Sequence, residues 1–478
     1  MSFMSVSKRR LKTKPKKINP SFKPDHAKTK TINNKINSFF NRVNLNEIAK
    51  KTGFLIRTSP ITPFIFVYAL SMGLFGTKIS LDILAMNMNS IFNTHLTGSA
   101  FSQRMRSKKS VLFLKAIFEQ FIKIQLETTF DNNFHKIFSR IFKTIILEDS
   151  TVVELSEKLA KDFKGCGGAA SKSSMKLNWI FNICCYAAVA VDIFSGSTPD
   201  RKNAKKSLKH VKRGMLLIRD LGYFVTEVLR TIDEKKAYYL SRIRKGTLLY
   251  LNIDDTNPLD IELFFKILTV KHKSVTIPIF VGKEERFSTN LILQKVPKWV
   301  LKQRVKQFKK KNSGKLPSDE FIIWAKYSVF ITNIPEELLL NNNKSFAVLI
   351  LELYKIRWQI ELLFKKFKSK IKLNVINGKD ENRVLCQMYG KLISILLSLI
   401  ILSYAASKNY NGREISLWKV ITWLINEGRL AKAILKSNFS KLYTELFKEL
   451  KLLCKDKRNR KTTLEELEEV FTWEELAI

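Results

Sequence analysis

The chain has 478 residues and a mass of 55.4 kDa, enough for two to four domains, and its 45% apolar and 11% aromatic content excludes a disordered chain. Lys and Arg number 84 against 42 Asp and Glu, a formal charge of +42 with a pI near 10.0. Self-repulsion on that scale fits a polyanionic partner, nucleic acid before anionic membrane. The five cysteines are scattered with no CxxC pair, and the five histidines show no ligand spacing, so neither a disulfide framework nor a zinc site is expected.

Residues 1–32 read as a flexible basic arm, rich in Lys, Pro and Asn and with no apolar core of a secretory signal behind it. Residues 33–140 read as a helical DNA-binding domain. Within it, NLNEIAKKTGFLIR places Asn before an amphipathic run and Gly after it. LTGSAFSQRMRSKK offers Ser102, Gln103, Arg104 and Arg106 to a groove if the unit is a helix-turn-helix, or to a basic bundle face if it is not. The apolar runs at 60–76 and 392–406 fall short of the ~20 residues of a spanning helix and are expected as buried helices.

After residue 140 the pattern changes. KTIILEDSTVVEL (143–155) is apolar and β-branched, a strand; KLNWIFNICCYAAVAVDIFSG (176–196) reads as a hairpin. A basic helix is expected over 201–214, a strand over 215–224, a helix at VTEVLRTIDEKKA and a strand at YYLSRIRKGTLLY. Residues 141–250 thus read as the first part of a mixed α/β core. Residues 251–345 read as a β-rich insertion: VTIPIFVGK, FSTNLILQKV and DEFIIWAKYSVFITNIP are strand-like around a basic helix, PKWVLKQRVKQFKKK. Residues 346–410 return to the core, and 411–478 form a helical C-terminal region.

The segment LYKIRWQIELLFKKFKSKIKL (353–373) contains a single carboxylate. At 100° per residue Tyr354, Arg357, Glu361, Lys365 and Lys368 share one face within about 80° of arc, while Ile356, Ile360, Leu363, Phe367 and Ile371 occupy the other. A Glu361–Lys365 ion pair would explain the acid by itself. Two further acids argue for more. Asp149 lies within an apolar strand, where an unpaired charge is costly, and Asp220 lies at a strand's C-terminal end, where α/β sites gather. Three such carboxylates in so basic a chain suit two hard cations, Mg²⁺ or Mn²⁺, at a phosphodiester.

Tyr354, Arg357, Glu361 and Lys368 match, at every spacing, the Tyr-Arg-Glu-Lys signature of the IS-four-like DDE transposases of bacterial insertion sequences, and the sequence resembles that family over roughly residues 40–410. The resemblance implies a multidomain α+β fold with a ribonuclease-H-like mixed α/β catalytic core interrupted by the β-rich insertion. It implies that Asp149, Asp220 and Glu361 are catalytic and bind two Mg²⁺ (or Mn²⁺) ions, and that Tyr354, Arg357, Lys365, Lys368 and Arg242 contact DNA. The implied activity is metal-dependent hydrolysis at the element's ends, followed by attack of the released 3′-hydroxyl on target DNA. Some members hold a flipped base on an aromatic of the insertion, for which Trp324 and Tyr327 are the candidates here. The partners expected are double-stranded DNA, as element ends and target, and a second copy in a synaptic homodimer; no membrane is expected, and the location is the bacterial cytoplasm, at the nucleoid. A catalytically inactive or domesticated DNA-binding relative is the alternative reading.

Overall fold

A computed structural model describes residues 26–471, apart from 168–169, 266–273, 340–343, 409, 411–412 and 457–460. The expected arm is accordingly only partly visible: residues 1–25 lie outside the described residues, whereas His26–Phe40 form a helix, so the arm as drawn to residue 32 overlaps ordered structure.

Nine strands build one sheet: β1 (Thr144–Glu154), β2 (Ser174–Asn182), β3 (Ala187–Ser195), β4 (Met215–Arg219), β5 (Tyr238–Arg242), β6 (Leu249–Tyr250), β7 (Ser274–Val281), β8 (Phe287–Lys295) and β9 (Tyr327–Thr332). Their order is β3-β2-β1-β4-β5-β9-β8-β7-β6. β1, β4 and β5 run parallel, and every other neighbouring pair is antiparallel. The helices used below are α1 (Lys108–Thr128), α2 (Asp200–Ser207), α3 (Thr226–Glu234), α4 (Lys298–Lys311), α5 (Phe346–Lys355), α6 (Trp358–Ser369) and α7 (Glu381–Ala406).

Side chains alternate across the strands and load both faces. Ile145, Leu147, Leu216 and Ile218 join one core with α1, α5, α6 and α7. Ile146 and Leu217 join the other, with Val228, Leu229 and Ile232 of α3. This parity decides the site. Odd positions of β1 and even positions of β4 point toward α6, so the residues that follow the buried run, Asp149 and Asp220, emerge on one face. Glu148 and Arg219 point the opposite way.

Several expectations change. YYLSRIRKGTLLY is not one strand: it supplies β5 in the middle of the sheet and β6 at its far edge. Only the second half of DEFIIWAKYSVFITNIP is extended, because Asp319–Ala325 form a helix with Ser318 as its N-cap, accepting from the Phe321 N–H at 3.2 Å. The helix expected over 201–214 ends at Ser207 and is followed by a single 3₁₀ turn. β7 and β8 continue the same sheet as the core strands, since β9 bonds to β8 on one side and to β5 on the other.

The apolar run at 392–406 belongs to a 26-residue helix, α7, longer than the run alone suggested and long and apolar enough to cross a membrane. In this fold 94% of its apolar window is buried against the chain itself, packed on α1 and on the π-helical turn at Ala69–Gly73.

In the N-terminal region, Leu81–Phe92 and Gly98–Met105 form two short helices. Of the residues offered there to a groove, Arg104 turns inward: its guanidinium donates to the Phe54 carbonyl at 2.5 Å and stacks on the Phe54 ring. Ser102 accepts from Arg383.

Candidate active site

β1 is buried from Thr144 to Glu148 and leaves the core at Asp149 and Ser150. Its parallel register with β4 pairs Leu147 with Ile218 and Glu148 with Arg219, so one further step sets Asp149 beside Asp220, where β4 ends and a 3₁₀ turn begins. α6 is docked against the same place. Trp179 is the residue of β2 opposite Asp149, and its ring meets Phe367 at 5.5 Å and Phe364 at 6.2 Å. That packing turns Glu361 toward the aspartates.

Segment 353–373 is not one helix. α5 ends at Lys355 and α6 begins at Trp358, joined through Ile356 and Arg357. Tightened bonds hold the joint, Arg357 N–H to the Tyr354 carbonyl at 3.1 Å and Gln359 N–H to the Ile356 carbonyl at 2.9 Å. The expected apolar face is buried as read, with Ile356, Ile360, Leu363, Phe367 and Ile371 all in the core.

Arg357 occupies the centre of the acidic group. Its guanidinium lies 2.5 Å from Glu361 Oε1 and 3.6 Å from Asp149 Oδ2. Glu361 therefore pairs backward with Arg357, not forward with Lys365, which is exposed. Tyr354 packs edge-on against Phe330 of β9, and its hydroxyl lies 3.5 Å from the Arg219 carbonyl. Burial pushes its phenol up, opposed by Arg357 and Arg242. Lys368 donates to the Val152 carbonyl of β1 at 2.8 Å, and Arg242 ends β5 paired with Phe330.

Burial pushes the Asp149 carboxyl up to about 7; the Ser150 N–H and Arg357 pull it down, and the charges of Asp220 and Glu361 push it further up. Asp220 and Glu361 thus both act on Asp149, beside the Arg357 guanidinium. Among the described residues no three His, Cys, Asp or Glu side chains converge as a ready ligand set. The donor chemistry nevertheless fits a hard divalent cation: the donors are carboxylate oxygens, and the buried one is destabilised by its like-charged neighbours.

Sequence reading missed the layer behind the site. Glu148 and Arg219, each one residue before an aspartate, pair at 2.7 Å with 1% and 2% of their side chains exposed. Asn178 donates to Glu148 at 3.2 Å, Tyr223 donates to Asn178 at 2.5 Å, and Arg219 donates to Ser207 at 2.7 Å. A signal was present, a charged residue at the inward-facing position of each of two apolar strands. Trp324 and Tyr327, the aromatics considered for a flipped base, are engaged instead. Trp324 donates to Glu262 and Tyr327 to the Phe265 carbonyl, and the Tyr327 ring stacks on Phe265 at 3.9 Å.

Asp149 within β1 and Asp220 just past the end of the adjacent parallel β4 are faced by the basic helix α6. The family model described as Transposase DDE domain matches residues 140–397, more than half of the chain, and the chain belongs to that family. It is 28% identical over 475 residues to the transposase for insertion sequence element IS1151 of Clostridium perfringens, covering 92% of this chain and 96% of that one. It is 25% identical over 444 residues to the transposase for element IS231B of Bacillus thuringiensis subsp. berliner, covering 87% and 89%. A cryo-EM structure of a piggyBac transposase synaptic complex with hairpin DNA aligns over 91% of this chain and 87% of that one, at 11% identity and a TM-score of 0.47. The protein is a DDE transposase, an enzyme of DNA transposition in a family that uses divalent metal ions.

Proposed function

We propose that this transposase cleaves the ends of its insertion sequence and joins the 3′-hydroxyl to target DNA, using Asp149, Asp220 and Glu361 as the holders of two Mg²⁺ or Mn²⁺ ions. The observation that supports the reading is that Arg357 bridges Asp149 and Glu361, with the charge of Asp220 close enough to act on Asp149. When bound, the ions would lower the pKa of the attacking water and offset charge on the phosphate. The chain's own groups supply the rest. Arg357 would exchange its carboxylate contacts for a DNA phosphate, with Lys365 and Lys368 beside it on α6 and Arg242 at the end of β5. Tyr354, wedged between Phe330 and the Arg219 carbonyl, would orient the strand. The ribonuclease-H-like core is taken as residues 141–250 and 346–410, which hold β1–β6 and α5–α7, and the insertion as residues 251–345, which hold β7–β9 and α4. A second copy is expected in the synaptic complex.

The deciding experiment uses Glu361→Gln on DNA carrying the element's own ends. Divalent-dependent cleavage should disappear while affinity for the same DNA stays within a few-fold of the parent. Cleavage at the parent's rate would remove Glu361 from the chemistry.

A further inference from the structure

α4 is a 14-residue helix in which no side chain is buried. A helix of this length needs a packed face to persist in water, and here the attachment is narrow. The Arg304 guanidinium donates to the carbonyls of Ala325 at 2.9 Å and Tyr327 at 2.6 Å and to the Ser328 hydroxyl at 2.8 Å. Phe308 packs on Phe321 at 4.4 Å. Partial burial, with Arg242 nearby, pulls Arg304 down to about 10, so the anchor is a half-buried charge.

The free face is uniform. Taking Lys298 as zero on a 100° helical wheel, Lys302, Lys306 and Lys309 fall at about 40°, 80° and 20°, whereas Arg304 falls on the opposite side. All four lysines are exposed, and Trp299, 68% exposed, flanks them. From Lys298 to Pro317 the chain carries no Asp or Glu at all. Two acids follow, Asp319 and Glu320, and Glu320 is paired with Lys245. α4 is about 21 Å long, which spans roughly six base pairs of one DNA strand.

Its root is tied to the carboxylate site by one strand. β9 accepts from Arg304 at Tyr327 and Ser328, and two residues later its Phe330 pairs with Arg242 and packs on Tyr354. We propose that α4 is an arm that grips the phosphate backbone of duplex DNA flanking the carboxylate site, through Lys298, Lys302, Lys306 and Lys309. The proposal rests on the transposase reading above. The grip is independent of base sequence, because lysine–phosphate contacts carry none.

The test is the full-length triple variant Lys302→Gln, Lys306→Gln, Lys309→Gln against the parent, binding a duplex of about 40 base pairs of arbitrary sequence across a salt series. Each phosphate contact contributes about 0.9 to the slope of log K against log salt. The variant's slope should be shallower by about 2–3, its affinity at moderate salt about tenfold lower or more, and its melting temperature unchanged. A slope and affinity equal to the parent's would overturn the arm while leaving the transposase reading intact. Failure of the parent to bind duplex DNA in a salt-dependent way would overturn that reading itself. Vesicles containing phosphatidylserine serve as a second probe: loss of vesicle binding in the variant with an unchanged DNA slope also overturns the proposal.

Discussion

Glu148 and Arg219 form a buried ion pair, 2.7 Å from Oε2 to Nε, across the parallel register of β1 and β4, and each immediately precedes an aspartate of the candidate site. The pair clasps the two strands on the face opposite α6. Its partners Asn178, Ser207 and Tyr223 come from β2, from α2 and from the turn after β4. The geometry of the carboxylates therefore depends on a polar cluster that points away from them.

Glu148→Ala should be among the most damaging single changes in the chain. Burial already pushes the Glu148 carboxyl up against the pull of Arg219, and removing it leaves a guanidinium without its counter-charge in the core. Breaking such a pair from one side costs about 3–5 kcal/mol. Urea unfolding measures it; a loss below about 1 kcal/mol would show that Arg219 finds solvent or another acceptor.

Asp149 gives a pH dependence of definite sign. Its folded-state carboxyl titrates near 7, raised first by burial, against 3.8 when free. Between those values the native state holds a proton that the unfolded chain has lost, so this residue's contribution to stability falls as pH rises through that window. Asp149→Asn should therefore raise the melting temperature at pH 8, by the equivalent of about 1–3 kcal/mol, with the gain fading toward pH 4. Equal melting shifts at both ends would contradict the assignment.

Divalent ions should reverse that penalty. Mn²⁺ added in the absence of DNA should stabilise the parent, by about 2.7 kcal/mol at a hundred times its dissociation constant. Asp149→Asn and Glu361→Gln should each lose most of this shift. Calorimetric scans with and without Mn²⁺ read it directly, separately from any cleavage.

Gly390 sits where α7 crosses the π-helical turn at Ala69–Gly73. A Cβ there would stand 2.5 Å from the Leu70 carbonyl oxygen and 2.7 Å from its carbon, both backbone atoms. Gly390→Ala should destabilise by about 1–3 kcal/mol through overpacking, despite the better helix propensity of alanine. A stabilised variant would mean that the two helices separate freely.

Much of the architecture was legible residue by residue. The β-branched run at 143–155 and the hairpin read at 176–196 announced β1, β2 and β3, though β2 starts earlier, at Ser174, and the apolar positions of 356–371 that were read as a core face are in the core. Reading failed where one apolar segment served two neighbourhoods. Residues 238–250 carry a single continuous strand-like pattern, yet supply strands four places apart in the sheet. Residues 319–325 have strand-like composition, but Ser318 caps them as a helix. Local pattern records which face is apolar, not which strand lies alongside.

The amino-acid sequence by itself determined the strong positive charge, one aspartate within an apolar strand and another at a strand's end, the glutamate on a basic helical segment and the spacing of Tyr354, Arg357, Glu361 and Lys368, because these are properties of residue identity and short-range periodicity. Only the tertiary structure decided the partners. Glu361 had a cation four residues away on either side; packing leaves the Arg357 side chain 14% exposed and Lys365 open to water, so the buried partner takes the carboxylate. Glu148 and Arg219, distant in the chain, meet because two strands align in parallel register. Ion pairing depends on distance and dielectric, and both are set by the fold.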